Sequence, residues 1–244
     1  MRYFLDLQFR GTNYHGWQVQ PNANTVQAEL EKALSTLLQN PTEIVGAGRT
    51  DTGVHAKQMV AHFEVEKAVD SHSFLHRLNS LLPKDISALK VWQVKDDFHA
   101  RFDASSRSYR YVISQTKDPF LQDLAYYFKH DLDVAAMNQA AKLLLGELDF
   151  SCFSKAHTQT FTNNCSLIQA VWKLEGHLLY FDVSANRFLR NMVRAMVGTL
   201  IEVGEGRRSV DSMQALIESK NRSEAGSSVP AHGLFLMEVK YPED

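Results

Sequence analysis

The sequence predicts an α+β protein of two tandem ferredoxin-like (βαββαβ) units, with mainly antiparallel sheets and an active-site cleft between them. Three observations carry this expectation. Apolar residues alternate in short runs and recur at steps of three and four in longer ones, the periods of strands and helices. The order of these runs over residues 1–103 appears again over residues 104–244. Turn residues such as Pro41, Pro83 and Gly146 punctuate the runs. With 244 residues, 44% of them hydrophobic, the chain can bury one large core or two small ones.

Taken in order, Tyr3, Leu5, Leu7 and Phe9 alternate with mostly polar neighbours and form an opening strand ending at Gly11. The polar loop 12–22 holds Tyr14, His15 and Trp17. Aromatic rings among Asn and Gln suit stacking on bases, and burial of Trp17 on the neighbouring sheet is the alternative. A helix follows, capped by Asn24 or Thr25, with Val26, Leu30, Ala33, Leu34, Leu37 and Leu38 inward and Asn40-Pro41 stopping it. Two strands flank the glycine-rich stretch 46–53, the second marked by Met59, Ala61, Phe63 and Val65. A helix over 72–81 closes at Pro83, and strand 86–94 completes the first half. The second half offers strand 108–114, helix 134–145, strands 166–174 and 178–184, a long helix from Phe188 to Val203, a short helix 210–219 and a final strand 234–241. The boundary falls near residues 102–106, and 115–132 and 219–229 read as loops.

Composition bounds the function. No window approaches 18 apolar residues, so no membrane-spanning helix is expected. The opening stretch is broken by Asp6 and Gln8, which makes it a strand and not a signal peptide. Cys152 and Cys165 are too few for a disulfide framework and suit a reduced, cytoplasmic protein. With His157 they could be imagined as zinc ligands, but no paired Cys-x-x-Cys supports a metal. The net charge of −2 means that a nucleic-acid partner must be held by a local basic face.

The stretch richest in chemistry is Gly46 to His55. Gly46, Gly48 and Gly53 permit a tight turn and close approach of another molecule, and Arg49 and Asp51 sit inside it, separated by Thr50. In an unknown protein such an Asp most often bonds its own turn amides. In Ser-Arg-Ser-Tyr-Arg-Tyr, alternation puts Tyr109 and Tyr111 on one face of a strand and Arg110 on the other. Extended as one helix from Phe188, the chain gathers Arg187, Arg190, Asn191 and Arg194 into a cationic stripe opposite Met192, Val193, Met196, Val197 and Leu200. A solvated face is the ordinary reading of such a stripe, but it lacks the acidic partners four residues on that solubility would favour.

Several of these segments together carry a resemblance. Gly48-Arg49-Thr50-Asp51-Thr52-Gly53-Val54-His55-Ala56 resembles the active-site loop of the tRNA pseudouridine synthase A (TruA) family. The stretches 9–18, 107–111, 188–198 and 230–236 are similar to that family's first strand and loop, substrate-tyrosine motif, arginine-bearing helix and C-terminal signature. Thr52 stands where Ala is the commoner residue, and the 115–132 loop is outside the similarity. The resemblance implies a cytoplasmic homodimer that isomerises uridine to pseudouridine in the tRNA anticodon arm, at tRNA positions 38, 39 and 40. It gives Asp51 the role of nucleophile, Arg194 that of its cationic partner, and Tyr109 a place against the uracil. Arg49 would support the flipped-out nucleotide, and Arg187 and Arg190 would meet phosphates or solvent.

Such a reaction breaks a C–N glycosidic bond, turns the base over and forms a C–C bond to the same ribose. It needs no cofactor, and no cofactor or metal motif is present in the sequence. Two other classes compete with this reading. A non-catalytic RNA-binding protein on the same fold would carry aromatic-rich strand motifs, which the first half lacks. A glycoside or nucleoside hydrolase would need a second carboxylate about 5 to 9 Å from the first, and no Asp or Glu shares the glycine context of Asp51.

Overall fold

The computed structural model describes residues 1–155 and 161–242. In chain order the elements are β1 (Arg2–Phe9), α1 (Val26–Leu38), β2 (Val45–Gly46), β3 (His55–Glu64), α2 (Ser71–Leu81), β4 (Ile86–Val94), β5 (Ser106–Ser114), β6 (Tyr126–Tyr127), α3 (Val134–Lys142), β7 (Gly146–Asp149), β8 (Asn164–Glu175), β9 (Leu178–Ala185), α4 (Met192–Gly204), α5 (Ser212–Ser219) and β10 (Leu234–Lys240). They form two compact units, Met1–Ser105 with Phe235–Asp244, and Ser106–Leu234.

In the first unit β1 lies between β3 and β4, antiparallel to both, and β2 pairs antiparallel with β3 near His62. This is the strand order of a ferredoxin-like unit. Tyr3, Leu5, Leu7, Phe9, Leu30, Leu34, Phe63, Phe74 and Leu78 are buried, the apolar residues that set both the strand and the helix patterns. Thr25 caps α1 by accepting the Ala28 amide at 3.3 Å, and Asp70 caps α2 through Ser73 at 2.9 Å, each worth about 1 kcal/mol.

In the second unit the order is β5-β9-β8-β7, antiparallel throughout, with β6 added parallel to β5. Mixed α+β architecture and mainly antiparallel pairing are as the sequence predicts, and the tandem ferredoxin-like arrangement is consistent with both units. The structure differs in three places. Helix α3 ends at Lys142, not residue 145, and the short polar strand β7, Gly-Glu-Leu-Asp, follows at once. Four residues at a sheet edge leave no alternation to detect. The 115–132 stretch contains β6 and a 3₁₀ turn, Pro119–Leu121, capped by Asp118.

Helix α4 starts at Met192, not Phe188. Asn191 adopts the left-handed conformation at φ 67°, which Asn tolerates better than most residues and which no helix can pass through. Arg187, Asn191 and Arg190 therefore lie outside the helix, and the cationic stripe reduces to Arg194. Nearly every other position of α4 is buried, so the helix is a core element with no solvated face. The final strand expected at 234–241 is β10, whose first residues pair in parallel with β3, Phe235 opposite His55 and Leu236 opposite Ala56. Its leading residues Leu234, Phe235 and Leu236 are all buried, without alternation. A run of that kind announces a covered strand but not its neighbour.

Candidate active site

The first unit contributes a carboxylate on a built turn. The Val54 amide donates to the Asp51 carbonyl at 3.1 Å and Gly53 has φ +79°, so residues 51–54 make a type II turn. Asp51 opens that turn and is half-buried, with Thr52 exposed beside it and Val54 buried behind. Arg49 is exposed, and Thr50 is buried with its hydroxyl lacking a hydrogen bond among the described residues.

Beneath the turn lies the polar loop that follows β1. The Trp17 amide donates to the Thr50 carbonyl at 3.2 Å and the Gly53 amide to the Tyr14 carbonyl at 3.3 Å. The Gly11 amide donates to His55 Nδ1 at 2.9 Å. Gly16, at φ +89°, lies so close that a Cβ there would be driven into the Thr50 carbonyl oxygen, so only glycine lets the two loops meet. The Tyr14 hydroxyl donates to Asp85 Oδ1 at 2.6 Å and Asn13 Nδ2 to Asp85 Oδ2 at 3.1 Å, tying the loop to the start of β4. Burial and the adjacent Asp85 carboxylate push the Tyr14 phenol well above its usual range, which keeps it a donor. Tyr14 and Trp17 are each only 3% exposed, with Trp17 against Phe9. Of the two fates open to these rings, burial is the one observed.

The second unit positions a tyrosine and a cation. Tyr109 is half-buried on β5, and Phe188 meets its ring edge-on at a centroid distance of 5.1 Å. Arg110, on the other face, bonds both Asp182 oxygens, at 2.6 and 2.9 Å, and stacks over Tyr180 at 4.9 Å. The Asp182 carboxylate holds its guanidinium above the usual range. That bidentate pair commits Arg110 to the sheet and makes it a poor candidate for an active-site cation.

Arg194 stands in the first turn of α4, half-buried. Its Nε donates to the Val229 carbonyl at 2.8 Å, and its own carbonyl accepts the Val229 amide at 3.2 Å. Val229 belongs to a strap, residues 225–229, laid along the helix. The Gly226 amide donates to Thr199 Oγ1 at 2.9 Å, and Asn191 Nδ2 and Arg222 Nη2 both donate to Ser228 Oγ, at 2.6 and 3.0 Å. Gly198 admits the strap, since a Cβ there would collide with the Ser227 carbonyl oxygen. Arg187 is half-buried and Arg190 exposed in the segment before the helix, where the Arg190 carbonyl accepts the Lys155 amide at 3.2 Å.

Sequence reasoning missed two supports, the strap and the Tyr14–Asp85 pair. Gly198 inside an otherwise apolar helix was the available signal for the first. For the second there was none, because Asp85 is remote in sequence from Tyr14. Burial pushes the Cys152 thiol up to about 12 and Cys165 to about 11, which makes both poor ligands and poor nucleophiles. His157 lies outside the described residues, and among those described no group of three His, Cys, Asp or Glu is placed to hold a metal. No described helix is long and apolar enough to cross a membrane.

Comparison with known proteins bears on the whole chain. A family model described as tRNA pseudouridine synthase matches residues 7–103 and 140–242. Asp51, Arg49, Arg187, Arg190 and Arg194 fall inside the matched segments, and Tyr109 falls between them. A tRNA pseudouridine synthase A of Parabacteroides distasonis is 52% identical over all of this chain and 97% of its own. One of Bacteroides thetaiotaomicron is 51% identical over 100% and 91% of the two chains. One from a Geobacter species is 42% identical over 98% of each. On a family match covering most of its length, and on relatives of such identity end to end, this chain belongs to the tRNA pseudouridine synthase family.

Proposed function

We propose that this chain is an isomerase that converts uridine to pseudouridine in tRNA, acting in the anticodon arm at tRNA positions 38, 39 and 40. The observation that carries the reading is the Asp51 turn, a half-exposed carboxylate on a backbone fixed from below, inside a segment that matches the family. A carboxylate so held can attack the sugar or the base, or take a proton from the ribose, without first being ordered. Arg194 supplies the cation for this carboxylate, and the strap limits the guanidinium's freedom. Tyr109 stacks on the uracil and moves a proton late in the reaction. Arg49 supports the flipped nucleotide, whose extrusion costs a few kcal/mol. Arg187 and Arg190 meet phosphates. The enzyme works as a cytoplasmic homodimer, without cofactor or metal.

The test is to incubate the protein with a uridine-labelled tRNA transcript and analyse its nucleosides. Pseudouridine at positions 38 to 40 is expected. Free uracil would indicate a hydrolase, and bound but unaltered tRNA a binding protein; either result overturns the proposal. Activity is also expected to survive EDTA when a polyamine maintains the tRNA fold, and loss restored only by zinc would count against the metal-free reading.

A further inference from the structure

Outside the Asp51 turn, the first unit displays one aromatic ring for which the proposed chemistry has no use. Phe102 is 74% exposed, in the bend that joins β4 to β5. An exposed phenylalanine on a pliant loop would be unremarkable, but here every residue from His99 to Asp103 is held. His99 donates its amide to Asp103 Oδ2 at 2.6 Å and accepts the Asp103 amide on its carbonyl at 3.1 Å. Its ring Nδ1 accepts the amides of Arg101 and Phe102, at 3.0 and 3.3 Å. Ala100 is clamped from both sides, its amide on the buried His62 Nδ1 at 3.1 Å and its carbonyl accepting the Tyr241 hydroxyl at 2.6 Å. Burial drives the His62 pKa down to about 4, so the acceptor nitrogen stays available at neutral pH.

The ring so displayed has polar and cationic company. The His99 ring lies 4.3 Å from it, centroid to centroid, and the exposed Arg101 guanidinium 5.6 Å from its centroid. An aromatic face beside an arginine matches a nucleobase with its phosphate better than it matches an apolar protein surface. We infer that Phe102, backed by His99 and flanked by Arg101, is a preformed stacking platform for an unpaired base of the RNA substrate, separate from the base that reacts. This rests on the proposed activity. The platform adds affinity and leaves the chemical step alone. The bend is ordered before RNA arrives, so little entropy is lost on binding.

The experiment uses the full-length protein and a tRNA transcript. Phe102→Leu keeps apolar bulk but removes the π face, and Phe102→Tyr retains it. Loss of one stacked base corresponds to an increase in Kd of about five- to hundredfold. That increase is expected for Leu, with Tyr near wild type and turnover at saturating tRNA within about twofold for both. Arg101→Gln should lower the slope of log affinity against log salt by about one. Unchanged affinity in an active Phe102→Leu enzyme overturns the platform while leaving the activity intact. A change in sedimentation of the RNA-free Leu variant also overturns it, since the ring would then belong to a contact between copies. Failure of the wild type to make pseudouridine would instead defeat the proposed activity and the platform together.

Discussion

The two supports, the loop under the Asp51 turn and the strap along α4, solve the same problem differently. Each brings a distant segment against a residue proposed for the site, and each depends on a glycine at the point of closest approach, Gly16 against Thr50 and Gly198 against Ser227. The first joins backbone to backbone, through Trp17 to Thr50 and Gly53 to Tyr14, and so fixes where Asp51 begins its turn. The second also grips the side chain, because Val229 takes the Arg194 Nε. A short side chain such as Asp needs only its backbone fixed. A long one such as Arg loses far more rotamer freedom, and the fold constrains it by bonding the guanidinium as well.

The largest effect should follow from Asp51→Asn, which keeps the turn and removes the charge. Turnover should vanish with tRNA affinity within a few fold of wild type, as read by pseudouridine formation and filter binding. A residual tenth of wild-type activity would mean the turn supports something other than the nucleophile.

If Arg194 is the cation for the half-buried Asp51, as proposed, Arg194→Ala should slow the single-turnover rate by at least a hundredfold. Arg194→Lys should fall between, the charge kept but the Nε bond to Val229 lost. A lysine variant equal to wild type would show that the strap does not position the cation.

Gly198→Ala separates the supports by stability. Alanine favours the helix by up to about 1 kcal/mol, but its methyl group meets the Ser227 carbonyl, and overpacking of this kind costs about 1–3 kcal/mol. A melting temperature lower by a few degrees is expected, together with reduced turnover. If the variant is as stable and active as wild type, the strap yields easily and its contact with Arg194 is incidental.

Acid should weaken the first unit. His62 is 5% exposed and its folded pKa is about 4, below the unfolded value near 6.5. Between these values the unfolded chain binds the extra proton, so stability present above pH 6.5 is lost as pH falls toward 4. Urea unfolding at pH 7.5 and 5.0 should differ by up to about 2 kcal/mol from this source, and His62→Gln should shrink the difference. No change in that difference would remove His62 from the account.

The smallest effect belongs to Arg190→Ala. Outside the helix and exposed, it should weaken tRNA binding several fold and lower the salt slope by about one, with the chemical step near wild type. A collapse of the single-turnover rate would place Arg190, not Arg194, beside the reaction.

These outcomes also mark what the sequence made legible. The Asp51 turn was readable because its glycines, polar residues and following strand are all local. Strand 86–94 was readable because Pro83 and alternation bound it, and its limits agree with β4. The strap was not, because Gly226 and its serines look like any surface linker until Gly198 and Thr199 are placed beside them. The start of α4 is not legible, since arginines and asparagine sustain a helical pattern and nothing in them announces the left-handed turn at Asn191. The neighbour of β10 was illegible for a simpler reason: parallel pairing joins residues far apart in sequence.

That last pairing has a consequence for synthesis. Domains usually fold as they emerge, the N-terminal part first. Here the strand beside His55 and Ala56 is supplied by Phe235 and Leu236, so a nascent chain that has finished residues 1–105 still lacks it. The backbone just after the Asp51 turn waits, one side unpaired, while the ribosome makes the entire second unit.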